Sequence, residues 1–390
     1  MKFRRDLLQR LRETPHLFRE IQDDAASELA LQQRLRERYD PDLVRAALSV
    51  VAGRRKAAGV LPNADQLWVT ETSLEQSTHP LVAVHKASRF PVDETVLDLC
   101  CGLGSDAVAL SERGPVEIVD ADAAQLMCCE WNLLAWGQTP TSARTSDAES
   151  IDVAGRLLHV DPDRRSGRAR PVRRLEQYTP NLAWMQSVVQ RATGGAIKIG
   201  PASNFIQKFP QCEIELTSLH GECREATVWF GTLAEREQFR ATVLPSGETI
   251  AAAPLSAWAA QASEPARYIY DPDPAVVRSG LVDAVGERLG LQRLDGEEEY
   301  LTSDSLVTSG FVTAFEVQTT LPNNEKQLRR YLRESPSDRY EVKCRHLPVD
   351  ATAVAKRLPT GRGESRVVFF LRVQARSKIV VASRVAEPRQ

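Results

Sequence analysis

Three carboxylates stand in or at the ends of apolar runs in the first half of the chain. Asp98 lies within Thr95-Val96-Leu97-Asp98-Leu99, Asp120 closes Val116–Asp120, and Asp161 closes Arg156–Asp161. The first run leads into Cys100-Cys101-Gly102-Leu103-Gly104 and then into the apolar Ala107-Val108-Ala109-Leu110. Strand, glycine turn and helix make up the first half of a nucleotide-binding βαβ unit. The glycines let backbone approach a ligand, and the helix N-terminus offers unpaired N–H groups. Asp120 follows about twenty residues later, where a ribose diol lies in such units, and a carboxylate supplies acceptors to both hydroxyls. Asp147, after a short third run, is placed to accept from an adenine amino group.

Asp161-Pro162 suggests a second kind of chemistry. A side-chain oxygen and a neighbouring backbone carbonyl can accept hydrogen bonds from an exocyclic amine and align its lone pair for attack. Asp163 and Arg164 stand where a second proline and a base-stacking aromatic belong in that pattern, although a guanidinium also stacks on bases. The alternative is that Asp161 caps the next segment and Pro162 turns the chain. Arg164, Arg165, Arg168, Arg170, Arg173 and Arg174 then follow with no acid among them. Directly after a strand end, such a run suits phosphate contacts; internal ion pairing is the alternative.

The elements that must position these residues follow from periodicity. Residues 1–74 read as helices. Leu7, Leu8 and Leu11 recur at helical spacing, as do Leu17 and Ile21 after Pro15, and Asp40-Pro41 starts a helix with Leu43, Ala46, Ala47 and Val50 on one face. Thr72–Arg89 reads as a loop and then a helix from Pro80, with Leu81, Val84 and Ala87 inward. Glu75, Gln76, Ser77 and Thr78 before it either cover a ligand or cap that helix. Strands at Val116–Asp120, Thr141–Asp147, Arg156–Asp161 and Ala196–Ile199 alternate with helices at Ala123–Trp136 and Asn181–Arg191, which predicts a parallel sheet covered by helices. Glu213–Leu219 and Glu225–Phe230, around His220-Gly221-Glu222, predict a hairpin. A boundary falls in Ala252–Pro265. Beyond it Ala275–Leu289, Glu325–Arg333 and Ala351–Leu358 read as helices. Val312–Val317, Arg339–Cys344, Ser365–Val373 and Ser377–Ala382 read as strands, and Asp271-Pro272-Asp273-Pro274 as a turn and helix start. The division is 1–74 helical, 75–262 α/β and 263–390 α+β.

Composition sets limits. With 390 residues the chain needs more than one core, and a net charge of −2 means that a nucleic-acid argument must rest on local patches. A second basic stretch, Lys326, Arg329, Arg330, Arg333, Arg339, Lys343 and Arg345, is interleaved with acids. Seven cysteines, including the adjacent pairs Cys100-Cys101 and Cys128-Cys129, read as reduced thiols of a cytoplasmic protein. His85 and His346 read as packed or surface residues, and no His/Cys/acid spacing suggests a metal, so none is expected. Trp131 and Trp136 read as core, and no run is long enough to span a bilayer.

Asp98 to Gly104 and Val119-Asp120-Ala121-Asp122, with Asn132 and Gly137 at the end of the next helix, resemble a class I methyltransferase that uses S-adenosylmethionine (SAM). Thr78-His79-Pro80, Asp98–Gly104 and Asp120–Asp122 resemble, in that order, motifs of the trimethylguanosine-synthase type, with His79 a departure. Asp161-Pro162-Asp163-Arg164-Arg165 and Lys198-Ile199-Gly200-Pro201 are similar to a bacterial methyltransferase group with a THUMP-like C-terminal domain. The resemblance implies a Rossmann-like methyltransferase domain between an N-terminal helical region and a C-terminal α+β THUMP-like domain. It implies SAM held by Thr78, Asp98, Cys100, Gly102, Gly104, Asp120, Ala121, Asp147 and Ala148, and an acceptor side of Asp161, Pro162 and Lys198. It further implies RNA as partner, contacted by Arg164, Arg165, Arg168 and Arg170 and held by the THUMP-like part, since THUMP domains of better-known families bind tRNA. The expected reaction is methyl transfer to a base nitrogen of RNA. The rivals are a small-molecule or protein methyltransferase and a non-catalytic SAM- or RNA-binding module.

Overall fold

The computed structural model describes residues 3–22, 28–164, 172–235, 238–253 and 255–385. Arg165, Arg168 and Arg170 lie outside the described residues. The chain forms two compact units, residues 1–212 with 227–235, and residues 213–226 with 236–390.

In the first unit β1 (Val96–Leu99), β2 (Val116–Asp120), β3 (Ser142–Thr145), β4 (Leu157–Val160) and β5 (Gly194–Ile199) form a sheet in the order β3-β2-β1-β4-β5. All four pairings are parallel. The chain leaves β1 to one side for β2 and β3 and returns on the other for β4 and β5, so the carboxyl ends of β1, β2 and β4 meet at a reversal of strand order. In open α/β sheets that crevice is where ligands bind. β1 and β4 are buried along their whole length, as the continuous apolar runs require of strands covered on both faces.

Helices Pro80–Ala87, Ser105–Ser111 and Ala123–Ala135 contribute Ala83, Ala87, Ala107, Leu110, Leu126 and Leu133 to one core with Val96, Ile118, Leu157 and Trp229. The N-terminal helices, among them Arg5–Arg12, Pro15–Gln22 and Pro41–Ala57, pack Leu8, Leu11, Leu17, Ile21, Val44 and Val50 with Ala124, Met127 and Cys128 of Ala123–Ala135. Asp40 caps Pro41–Ala57 by accepting the Asp42 N–H at 2.8 Å. Trp131 packs against Trp68 with ring centroids 4.6 Å apart, and the Trp136 indole donates to the Pro62 carbonyl at 2.9 Å.

Two expectations need correction here. Residues Glu71–Gln76 form a helix rather than a loop, because the Thr70 hydroxyl accepts the Ser73 N–H and the Ser73 hydroxyl accepts the Thr70 N–H. In Pro80–Ala87 the buried residues are Val82, Ala83, Lys86 and Ala87, whereas Leu81 and Val84 are 43% and 52% exposed. Lys86 points inward because it is ion-paired with the buried Asp106.

β6 (Glu213–Leu219) and β7 (Glu222–Gly231) are joined by His220 and Gly221, with φ of 52° and 75°, the two left-handed residues of a tight hairpin turn. From Thr227 onward β7 belongs to the first unit, where it borders β5. In the second unit β8 (Phe239–Leu244) runs parallel to β6 and antiparallel to β9 (Glu248–Ala252). A seven-stranded sheet follows, from β10 (Tyr268–Pro272), β11 (Gln292–Arg293), β12 (Leu301–Ser303), β13 (Val312–Pro322), β14 (Tyr340–Cys344), β15 (Arg366–Val373) and β16 (Arg376–Arg384), in the order β11-β12-β10-β13-β16-β15-β14. Val367, Phe369 and Leu371 of β15 enter one core with Ile269, Phe315 and Val380. The intervening Val368 and Phe370 enter another with Leu328, Leu332 and Val354 of helices Glu325–Glu334 and Ala351–Arg357. The expected helix Ala275–Leu289 is two helices, Pro274–Ser279 and Val282–Leu289, because Gly280 takes a left-handed φ of 73° and ends the first. Asp271-Pro272 ends β10, and Asp273 caps the helix after it.

Within the first unit Asn132 ties Trp68 to the glycine turn: its amide oxygen accepts the Trp68 N–H at 2.7 Å and its nitrogen donates to the Leu103 carbonyl at 3.1 Å. Asn132→Ala leaves both backbone groups buried and unpaired. It is expected to cost about 2–4 kcal/mol, read as a lower denaturant midpoint in equilibrium unfolding.

Candidate active site

After Leu99 the chain turns through Cys100 and Gly102, with φ of 60° and 55°, and enters the helix Ser105–Ser111 through Gly104 at φ 88°. A Cβ at position 104 would stand 2.9 Å from the Cys129 Sγ, so glycine there answers both a backbone and a packing demand. Burial, reinforced by Asp120, Asp161, Asp98 and Asp147, pushes the Cys100 thiol well above its ordinary pKa, so it is neutral. All seven cysteines are free thiols.

Asp120 sits at the end of β2, half-buried. Its Oδ2 accepts the Gly102 N–H at 3.2 Å and its Oδ1 the Asp122 N–H at 2.9 Å. Two backbone donors use part of the carboxylate's acceptor capacity, and the remainder suits a diol. Burial raises its pKa to about 6, against the pull of those two N–H bonds. Ala121 is exposed beside it. Asp147 is exposed and accepts the Glu149 N–H at 2.9 Å, while Ala148 is buried.

Beneath the turn lies a chain of buried charges. Asp98 has no exposed surface, and its Oδ1 is 2.7 Å from the His159 Nδ1. The parallel register of β1 and β4 sets Asp98 against His159. The His159 Nε2 lies 3.4 Å from the Lys86 Nζ, and Lys86 is ion-paired with Asp106 at 3.0 Å. The Thr78 hydroxyl donates to the other Asp106 oxygen at 2.5 Å. Burial disfavours charge on each group. Lys86 and then His159 and Lys198 nevertheless hold Asp106 far below the usual carboxylate range. Burial likewise opposes an imidazolium at 159, but Asp106 and Asp98 outweigh it and raise His159. Burial raises Asp98, with His159 pulling the other way. The Asp98 Oδ2 has no hydrogen-bond partner among the described residues. Asp98 and Thr78 thus both have partners inside the protein.

On the β4 side, the Asp161 N–H donates to the Leu99 carbonyl at 3.1 Å, which seats Asp161 beside the start of the glycine turn. Its Oδ2 accepts from the buried Lys198 ammonium at 2.8 Å, and its side chain keeps 28% of its surface exposed. Pro162 is buried and Asp163 exposed, and Asp163 exchanges backbone bonds with Thr179. Arg164 is half-buried with its guanidinium against Gly200, where an added Cβ would lie 2.9 Å from Nη1. Tyr178 joins this group: its hydroxyl is 2.5 Å from the Ser203 Oγ and accepts the Gly200 N–H at 3.3 Å. Arg173 and Arg174 are exposed.

Sequence reasoning passed over Lys86, Asp106, His159, Tyr178 and Ser203. A lysine amid apolar neighbours in Val82–Ala87 and a histidine inside the apolar Leu157–Val160 were the available signals.

Residues 312–384 match the family described as THUMP domain-like. Two uncharacterized S-adenosylmethionine-dependent methyltransferases of Mycobacterium tuberculosis, from strains CDC 1551 and H37Rv, are 31% identical over 348 residues, covering 86% of this chain and 94% of theirs. The chain belongs to the S-adenosylmethionine-dependent methyltransferases. A crystal structure from Porphyromonas gingivalis W83, of a protein that carries a methyltransferase designation, shares the fold over 99% of this chain and all of its own, with a TM-score of 0.77 at 17% identity. The methyltransferase uses SAM as its cofactor, and the donor set at the crevice fits it. Asp120 has acceptor capacity left for a ribose diol, and the positive-φ turn Cys100–Gly104 leaves backbone that a ligand could approach.

An ionised Asp120 presents its acceptors to the diol, and a protonated one gives part of them up. SAM affinity is therefore expected to hold above about pH 7 and to weaken as pH falls through about 6, by roughly tenfold at about pH 5. Asp120→Asn should bind more weakly and lose this dependence, both read by calorimetric titration across pH.

Proposed function

We propose that this methyltransferase acts on a base nitrogen of RNA in the cytoplasm. The observation that carries the reading is Asp161: a half-exposed carboxylate at the C-terminal end of β4, backbone-bonded to Leu99 and steadied by Lys198 at 2.8 Å. Lys198 holds Oδ2 and so fixes the carboxylate plane. Oδ1 and the Asp161 backbone carbonyl are then the acceptors for an exocyclic amine, aligning its lone pair, and Oδ1 takes up the proton released on alkylation. SAM, when bound, supplies a methyl already activated on a sulfonium, so alignment accounts for most of what the protein must add. Pro162, buried, stiffens the segment. Asp120, with Asp147, Ala148 and the turn, is assigned to the cofactor; Asp98 and Thr78 support that turn from beneath.

RNA as the substrate is supported by the THUMP-like match and by the arginines after β4. Arg165, Arg168 and Arg170 are assigned to phosphates, as are the exposed Arg173 and Arg174. Arg164, packed at Gly200, is assigned to the edge of the acceptor pocket, with Tyr178 behind it. In the second basic stretch Lys343 and Arg345 are taken up by Asp271 at 2.9 and 2.6 Å, and Arg329 by Glu325 at 2.8 Å. Lys326, Arg333 and Arg339 remain exposed and are the better candidates for RNA contact there.

The test is transfer of labelled methyl from SAM to bulk RNA. Wild type is expected to label RNA, with RNA affinity falling steeply as salt rises. Asp161→Ala is expected to lose about hundredfold or more in rate while still binding SAM. Wild type that binds SAM yet labels no RNA would contradict the substrate; equal rates in wild type and Asp161→Ala would contradict the role of Asp161.

A further inference from the structure

The second unit holds a side-chain cluster that methyl transfer does not use. Glu298 and Glu299 precede β12, and His346 follows β14, 47 positions beyond Glu299. One oxygen from each glutamate and one imidazole nitrogen lie within 4.8 Å of one another. The packing around them fixes both segments. Tyr300 is buried, with its ring edge-on to Phe369 at 5.1 Å, and Arg345 is bonded to Asp271 at 2.6 Å.

Glu298 supplies a second, independent observation. It has no exposed surface, and its Oε2 accepts the Arg372 N–H at 3.1 Å. Its Oε1 is buried with no hydrogen-bond partner among the described residues. A bare buried carboxylate oxygen is costly. A cation between the three side chains would balance that charge. The nearby guanidinium groups are engaged elsewhere, Arg345 with Asp271 and Arg372 with Glu297.

We propose that Glu298, Glu299 and His346 form a binding site for one divalent transition-metal ion of the zinc class. One imidazole nitrogen and two carboxylate oxygens suit zinc or its neighbours. Calcium asks for six or more oxygens, and cuprous ion for sulfur. The His346 Nε2 lies 2.5 Å from the Glu299 Oε2, and the metal would take the place of the hydrogen bond between them. His346 is exposed, which gives an ion and a completing water a path in, and the Arg372 N–H orients Glu298 from behind. The site escaped sequence reading because its nitrogen donor comes from a distant strand end and no short spacing marks it.

Chelator-stripped full-length protein is titrated with Zn²⁺ against a chromophoric competitor. One equivalent is expected to bind, and both Glu298→Gln and His346→Ala are expected to weaken it by about tenfold or more. Glu298→Gln keeps the shape and the bond to Arg372 while removing a buried charge, and its fold is verified by thermal unfolding in chelator. Absence of one-equivalent binding by wild type overturns the proposal. So does a Glu298→Gln protein that binds zinc as wild type does, since the exposed histidine alone would then account for the metal.

Discussion

The bond between Asp98 and His159 is the constraint on which the methyltransferase unit depends. Neither group can be charged alone in a water-free interior, and neither can be left behind once the other is placed. Parallel register puts them side by side on β1 and β4. Lys86 and Asp106 complete a set of two acids and two bases drawn from four segments, so those segments must assemble together. Removing one member of such a set typically costs about 3–5 kcal/mol, because its partner is left as an uncompensated charge. The glycine turn follows directly from Asp98 and leads into the helix that carries Asp106.

From that base the functional groups follow by strand order. Because β1 lies between β2 and β4, its turn is flanked by the acid ending β2 on one side and the acid ending β4 on the other. Asp120 is tied to the turn through the Gly102 N–H, and Asp161 through the Leu99 carbonyl. The acids ending β2 and β4 are therefore held to the same few backbone atoms, which on the proposed reading aligns a methyl donor with its nucleophile. The N-terminal helices reach the same turn through Asn132, whose side chain bonds both Trp68 and Leu103.

Much of this was legible in the sequence. Continuous apolar strands, a glycine turn and acids at strand ends carry fixed spacings, and the hairpin at His220-Gly221 carries its own turn chemistry. Part of what sequence reading missed is polar residues that are buried through mutual pairing. Leu81 and Val84 were expected in the core yet are exposed, and their helix buries Lys86 instead. Asp98 and Thr78, read as ligand contacts, also bond groups distant in the chain, His159 and Asp106, which no short spacing reveals. Strands β8 to β12 were missed because they are short or carry charged and proline residues, and their pairing is set by tertiary register.

The measurement that bears most directly on this account is a crystal structure with S-adenosylhomocysteine bound. The account predicts the ribose hydroxyls on the Asp120 carboxylate, the methionine end against the Cys100–Gly104 backbone, and the Asp98–His159 pair intact beneath. A ribose seated away from Asp120, or an Asp98 side chain released from His159 to meet the ligand, would contradict it.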